Sequence, residues 1–337
     1  MEAPEPLSLP GFVNAHSHAF QRALRGRTEG DDFWSWRESM LDVAEGLSPG
    51  QVRSGYVDVY REMLSAGYTA VGEFHYLGLA EAHAAVEAAA EAGIELVLLL
   101  TAYGRGGLER FRQGSPAAYL EQLEELRAAG AQVGLAPHSV RACPRAWLEE
   151  LGAYAAAQDL PLHVHASEQP REIEECLTEH GLRPIELLAE TGCLGPHTTI
   201  VHATHASGLE LDVLAETGAR ICVCPTTEAN LGDGFCPVEA IAARGIPMCI
   251  GSDSNIRIDP FEELRELEGI ARRSTGRRNV LPVPSLLATG SREGAASLGL
   301  ERWPHVAVDL AHPSLAGVEH DDVPAALLFG CAADVFA

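Results

Sequence analysis

One repeated unit restricts the fold more than any other feature of the chain. A short apolar run is followed by an Ala/Leu/Glu-rich stretch of helical character, eight times over. The runs fall at Phe12–Asn14, Ala70–Phe74, Leu96–Thr101, Val133–Ala136, Leu160–His165, Thr199–His202, Ile221–Cys224 and Met248–Gly251. Helical segments between them include Leu79–Ala92, Ala117–Ala129, Arg145–Gln158, Arg171–His180 and Gly208–Thr217. Ser48-Pro49 and Ser115-Pro116 each offer an N-cap followed by proline at the first helical position. Strands that alternate with helices build a parallel sheet, because a parallel neighbour needs a crossover. Eight units over roughly 250 residues predict a (β/α)8 TIM barrel. The doubly wound alternative lacks its G-x-G-x-x-G after the first strand. The barrel is placed at residues 9–298, with Ser285–Leu298 as one last helix. Residues 1–8 and 299–337, which carry a strand-like Val306–Leu310, are read as a reduced β-sandwich appendage.

Composition removes several functions. Net charge is −24, a surface that repels nucleic-acid phosphates and anionic lipid. All 24 basic residues are arginine, so a Walker A lysine, a Schiff-base lysine and a lysine bridging two metals are excluded. No apolar run approaches the roughly 20 residues of a membrane helix, and the first residues lack the pattern of a signal peptide. The eight cysteines include no C-x-x-C, which predicts buried thiols in a reducing cytoplasm.

In a barrel of this kind, chemistry gathers at the C-terminal strand ends. The first run continues into His16-Ser17-His18, and residues two apart on an extended chain share a face. The fifth carries His165 and is followed by Glu168, the sixth ends at His202, and the eighth runs into Ser252-Asp253. His16, His18, His165, His202 and Asp253 are therefore expected at one rim. Three histidines and a carboxylate suit a single divalent ion, zinc ahead of ferrous iron, with a position left for water. Asp253 can accept that water's proton and Glu168 can carry it to a leaving nitrogen. His163 faces the other way and is read as a packed structural histidine, and His75, His83, His180, His197, His205, His305, His312 and His320 as structural or solvated. The acidic runs Glu121–Glu125 and Glu262–Glu268 are read as solvated helix faces.

These residues resemble the deaminase branch of the amidohydrolase superfamily, and within it the formimidoylglutamate deiminases. The resemblance lies in HSHAFQRAL (His16–Leu24), DFWSWRE (Asp32–Glu38), EFHY (Glu73–Tyr76), APHSVRA (Ala136–Ala142), HASEQ (His165–Gln169), VHATH (Val201–His205), TEANLGDG (Thr227–Gly234), GSDSN (Gly251–Asn255) and EELRELE (Glu262–Glu268). It implies a metal held by His16, His18, His165 and Asp253. His202 would contact the metal's water or polarise the substrate, and Glu168 would shuttle protons. Gln21, Tyr76, His138 and Arg141 would bind a carboxylate-bearing small molecule, Arg141 through its planar fork. The implied reaction turns N-formimidoyl-L-glutamate and water into N-formyl-L-glutamate and ammonia, in a cytoplasmic homodimer. Two departures stand out. Met40-Leu41-Asp42 lies where the family has a basic residue, so that Asp42 is expected to repel a dicarboxylate, and Leu77-Gly78-Leu79 lies where it tends to have a histidine pair. Deamination of another amidine-like or heterocyclic substrate, and metal binding without turnover, are the competing readings.

Overall fold

Ten strands appear in the computed structural model, which describes residues 7–30 and 32–336. They are β1 (Leu7–Pro10), β2 (Phe12–Ser17), β3 (Tyr68–His75), β4 (Glu95–Ala102), β5 (Val133–Pro137), β6 (Leu162–Ala166), β7 (Thr198–His202), β8 (Arg220–Val223), β9 (Met248–Ile250) and β10 (His305–Val308). Strands β2 to β9 hydrogen-bond in sequence order, all parallel, and helices connect them. The eight expected strands are these eight. Burial on both faces explains why they read as near-continuous apolar runs rather than as alternating ones.

The barrel closes where β9 meets β2. Ser17 and Asp253 form a parallel bridge, the His18 N–H donates to the Asp253 carbonyl at 2.8 Å, and the Asp253 N–H donates to the His16 carbonyl at 3.0 Å. This seam requires glycine at 251, since a Cβ there would lie 2.7 Å from both the Cβ and the carbonyl oxygen of His16. Backbone closure thus brings the first and last candidate ligands side by side.

Helix starts follow the capping signals. The Ser48 and Ser115 hydroxyls accept the Gln51 and Ala118 N–H groups, an interaction of about 1 kcal/mol each. The helix expected at Ser285–Leu298 is neither continuous nor the last, since Val323–Gly330 is also helical. It divides into Val283–Gly290 and Arg292–Ser297 at Ser291, whose hydroxyl donates back to the Leu287 carbonyl at 2.6 Å and whose backbone leaves the helical region (φ −131°, ψ −86°). Nor is Glu262–Glu268 a solvated face throughout, because Glu263 and Glu268 are fully buried. Glu263 accepts the Thr226 N–H, and Glu268 accepts the Val280 and Leu281 N–H groups and pairs with Arg272. These carboxylates tie down the start of the helix Pro225–Leu231 and the loop at Val280–Leu281, an arrangement invisible in a local charge run.

Strand β1 pairs antiparallel with β10, Leu7 opposite Val308, and forms a second, two-stranded sheet. Residues 1–6 and 337 of the expected appendage lie outside the described residues. All eight cysteines are buried and unpaired. Among the described residues, no helix is long and apolar enough to cross a membrane.

Candidate active site

The rim formed by the strand C-termini holds one group of four metal-competent side chains, His16, His18, His165 and Asp253. One donor atom from each lies within 4.8 Å of all the others. His16 Nε2 is 3.2 Å from His18 Nε2, 3.0 Å from His165 Nε2 and 3.2 Å from Asp253 Oδ1, and His18 Nε2 is 3.2 Å from the same oxygen. His18 Nδ1 donates to the Phe74 carbonyl and His165 Nδ1 to the His138 carbonyl, each at 2.9 Å. A carbonyl can only accept, so these two rings carry a proton on Nδ1 and turn Nε2 toward the cluster. Burial pushes His16 down to about 3 against the pull of Asp253, and pushes His165 well below the usual histidine range. Neutral His16 and His165 therefore crowd against the Asp253 carboxylate, which sets electron-rich donors against one another. A divalent cation resolves that repulsion. Donors about 2.0–2.1 Å from a tetrahedral zinc stand about 3.3 Å apart, close to the spacing found. The residues present fit such an ion.

His202, the fifth expected residue, sits beside this group rather than in it. Its ring stacks on His165 with centroids 5.5 Å apart. Nδ1 lies 3.2 Å from Glu228 Oε1 and Nε2 3.8 Å from Glu168 Oε1. The backbone is strained around these side chains. Ser167, His202, Ala203, Asp253 and Asn255 all have positive φ, a conformation that costs about 1–3 kcal/mol per residue and recurs at functional sites.

An open cavity of about 710 Å³ leads from solvent to this rim, and His18, His165, Glu168, His202 and Asp253 form its floor. Gln21, Tyr76, His138 and Arg141 line its wall, so all four expected substrate contacts face one space. Gln21 donates to the Tyr76 hydroxyl at 2.9 Å and leaves its buried carbonyl oxygen without a partner. The Arg141 guanidinium makes no hydrogen bond: its contacts are Glu168 Oε2 at 3.8 Å and Glu172 Oε1 at 3.9 Å, and its buried Nε is unpartnered.

Comparison with known proteins is decisive for the family. Residues 7–303 match the amidohydrolase family model. The chain belongs to the amidohydrolase family. A formimidoylglutamate deiminase from Pseudomonas aeruginosa is 41% identical over 81% of this chain, and the match spans 66% of that enzyme. A 5-methylthioadenosine/S-adenosylhomocysteine deaminase from Halobacterium salinarum is 30% identical, over 89% of this chain and 70% of that one. Among solved structures, an amidohydrolase from Brucella melitensis superposes with a TM-score of 0.88 at 32% identity, covering 98% of this chain and 84% of that one.

Two cavity features of this amidohydrolase escaped the sequence reading. Arg37 and Arg105 also line the space. Arg105 is spoken for, since it donates to the Arg141 and Val140 carbonyls and clamps Glu179 through both terminal nitrogens, which braces the loop that carries Arg141. Arg37 is freer, its one ion pair being a 3.5 Å contact with the adjacent Glu38. It lies inside the FWSWRE segment, in the helix Phe33–Glu45, and points inward on the same face as Phe33, Trp36, Met40 and Leu41. Asp42 is different. It is exposed and absent from the lining, so the expected repulsion of a dicarboxylate has no geometric basis. A helix turns about 100° per residue, which separates Asp42 from the inward face.

Buried carboxyls crowd the amidohydrolase site, among them Glu168, Glu172, Glu228, Asp233 and Asp253. Burial works against the charge on His202, yet Glu168, Glu228 and Asp253 raise it to about 10. Glu172 accepts the Glu168 N–H at 3.1 Å, and burial pushes it up to about 7 despite Arg141. Because this value lies above that of an unfolded glutamate, the folded chain retains a proton that the unfolded chain releases between about pH 4.5 and 7. The contribution to stability is complete below that window and is lost as pH rises through it, by about 3 kcal/mol in all. Urea unfolding of Glu172→Gln across pH 4.5–8 is expected to show a correspondingly flatter decline. Parallel curves for variant and wild type would contradict this.

Proposed function

We propose that the chain is a hydrolytic deiminase that converts N-formimidoyl-L-glutamate and water to N-formyl-L-glutamate and ammonia. The observation that carries the reading is the Arg141 guanidinium: half-buried, facing the cavity and without a hydrogen bond. A planar cation with free donors in a cavity wall is matched by a carboxylate, which it can grip through two parallel hydrogen bonds. Arg37 offers a second cation for a second carboxylate. 5-Methylthioadenosine, one of the two compounds in the name of the Halobacterium relative, has no carboxylate to pair with either arginine.

The roles follow from position. His16, His18, His165 and Asp253 would hold one divalent ion, zinc by its preference for this donor set. When bound, the ion supplies a Lewis acid that lowers the pKa of water toward neutrality. Asp253 accepts the proton released as water attacks the formimidoyl carbon. Glu168, between His202 and Arg141, delivers a proton to the departing nitrogen, which leaves as ammonia. His202 donates from Nε2 to the charge that develops at the reacting carbon's substituents. Gln21, Tyr76 and His138 orient the formimidoyl end against this floor. The same reading carries a cytoplasmic homodimer, to be checked by sedimentation.

Ammonia release from formimidoylglutamate tests the substrate. Arg141→Gln is expected to raise KM about 10- to 150-fold, the equivalent of losing charged hydrogen bonds worth about 1.5–3 kcal/mol, with metal content unchanged. Turnover of a thioether nucleoside with none of formimidoylglutamate would overturn the substrate assignment.

A further inference from the structure

We propose that Glu228 is a positioning residue for His202, holding the Nδ1 side of the imidazole so that Nε2 stays aimed at Glu168 and the cavity. Its kinetic arm rests on the deiminase reading above. Glu228 lies in the short helix Pro225–Leu231 and contributes nothing to the cavity lining. It is nevertheless 1% exposed, and a carboxylate so deeply buried is retained in few places unless it has a partner. Its Oε1 accepts two hydrogen bonds. One comes from the Cys224 N–H at 2.9 Å, which pins the carboxylate to the chain beyond β8, and the other from His202 Nδ1 at 3.2 Å. Oε2 has no partner at all.

Local structural needs do not account for this arrangement. The Cys224 N–H could be satisfied by any acceptor, and a neutral one would avoid burying charge. What the carboxylate adds is an acceptor on the far side of the ring from Glu168. With Nδ1–H engaged, rotation of the imidazole about its Cβ–Cγ bond would break a buried hydrogen bond, so the ring is held with Nε2 forward. The 3.8 Å between His202 Nε2 and Glu168 Oε1 exceeds a hydrogen bond and leaves the two groups free to address a substrate atom between them. The His202 backbone adds a second restraint, its φ of 73° committing the residue to one narrow conformation at the end of β7. The order is carboxylate, imidazole, carboxylate: the outer one orients and the inner one transfers protons.

Glu228→Gln and Glu228→Ala, prepared as metal-loaded full-length protein, test this. Gln retains an acceptor and is expected to lower kcat about 10-fold. Ala removes it and is expected to lower kcat about 100-fold, the range found for partners that orient active groups from behind. KM should stay within about threefold, and metal stoichiometry and thermal midpoint should match wild type for Gln. A merely structural role would lower metal content or stability in step with activity and would show no graded rescue by Gln. The second measurement is independent of turnover. In protein labelled with 15N-histidine, the His202 Nδ1–H resonance, identified by its loss in His202→Asn, should shift in Glu228→Gln and vanish in Glu228→Ala. If wild type releases no ammonia from formimidoylglutamate, the substrate reading fails while the resonance still judges Glu228. A resonance unmoved in both variants, or a fully metallated Glu228→Ala with kcat within twofold of wild type, overturns the proposal.

Discussion

Chelation of the divalent ion is expected to abolish ammonia release and to lower the thermal midpoint by several degrees, with both restored by zinc. The expectation comes from the donor set. The Nε2 atoms of His18 and His165, the neutral His16 ring and Asp253 Oδ1 converge within 4.8 Å in a buried site, and the Nδ1–H groups of His18 and His165 are committed to carbonyls. A metal-free site therefore retains lone-pair repulsion that the folded backbone cannot relieve, because Gly251 and the Ser17–Asp253 bridge hold the seam closed. An ion that binds the folded chain alone stabilises it by about 4 kcal/mol when free ion exceeds its dissociation constant a thousandfold. Loss of catalysis follows because nothing else in the cavity can make water acidic near pH 7. Calorimetry with and without a chelator, alongside metal analysis, decides the matter. Sustained turnover by protein shown to be metal-free would refute it.

Glu168→Gln is expected to reduce kcat by about 10²–10⁴-fold while leaving metal content and KM nearly unchanged. Glu168 is outside the four-donor group, so its amide should not disturb the ion. Its carboxylate oxygens sit 3.8 Å from His202 Nε2 and 3.8 Å from Arg141 Nη2, held by cations on two sides without being hydrogen-bonded by either. Its backbone is fixed by Glu172. A group so placed is rigid in its main chain and free at its tip, which is what a proton carrier requires. Glutamine has the same shape and cannot take up or release a proton at these pH values. The effect should therefore appear in kcat, since the ground-state contacts made by Arg141 and Gln21 remain. A variant within threefold of wild type would show that protons travel by another route.

How much of this was legible beforehand differs from element to element. The eight strands were visible because a parallel strand buried on both faces must be apolar along its length. Helix starts at Ser48 and Ser115 were visible because capping is a one-turn interaction. The burial of Glu263 and Glu268 was not, since it depends on partners elsewhere in the chain: the Thr226 amide in the first turn of the helix Pro225–Leu231, and the loop amides of Val280 and Leu281. Arg37 lay inside a quoted segment and was passed over, because which face of the Phe33–Glu45 helix meets the cavity depends on how that helix is packed.

Taken alone, the sequence determined the order of strands and helices, and with it the rim at which His16, His18, His165, His202 and Asp253 would emerge. Those properties are local: strand period, capping and the rule that barrel chemistry sits at strand C-termini. Only the tertiary structure decided which of the five share one point and which stands aside. His16 and His165 are 149 residues apart along the chain, and their 3.0 Å contact exists because the barrel closes. Closure also sets His202 between two carboxylates and leaves Arg141 without a hydrogen bond. Distances of that kind are set by the angle at which separate elements meet, and no short stretch of sequence encodes an angle between distant parts of the chain.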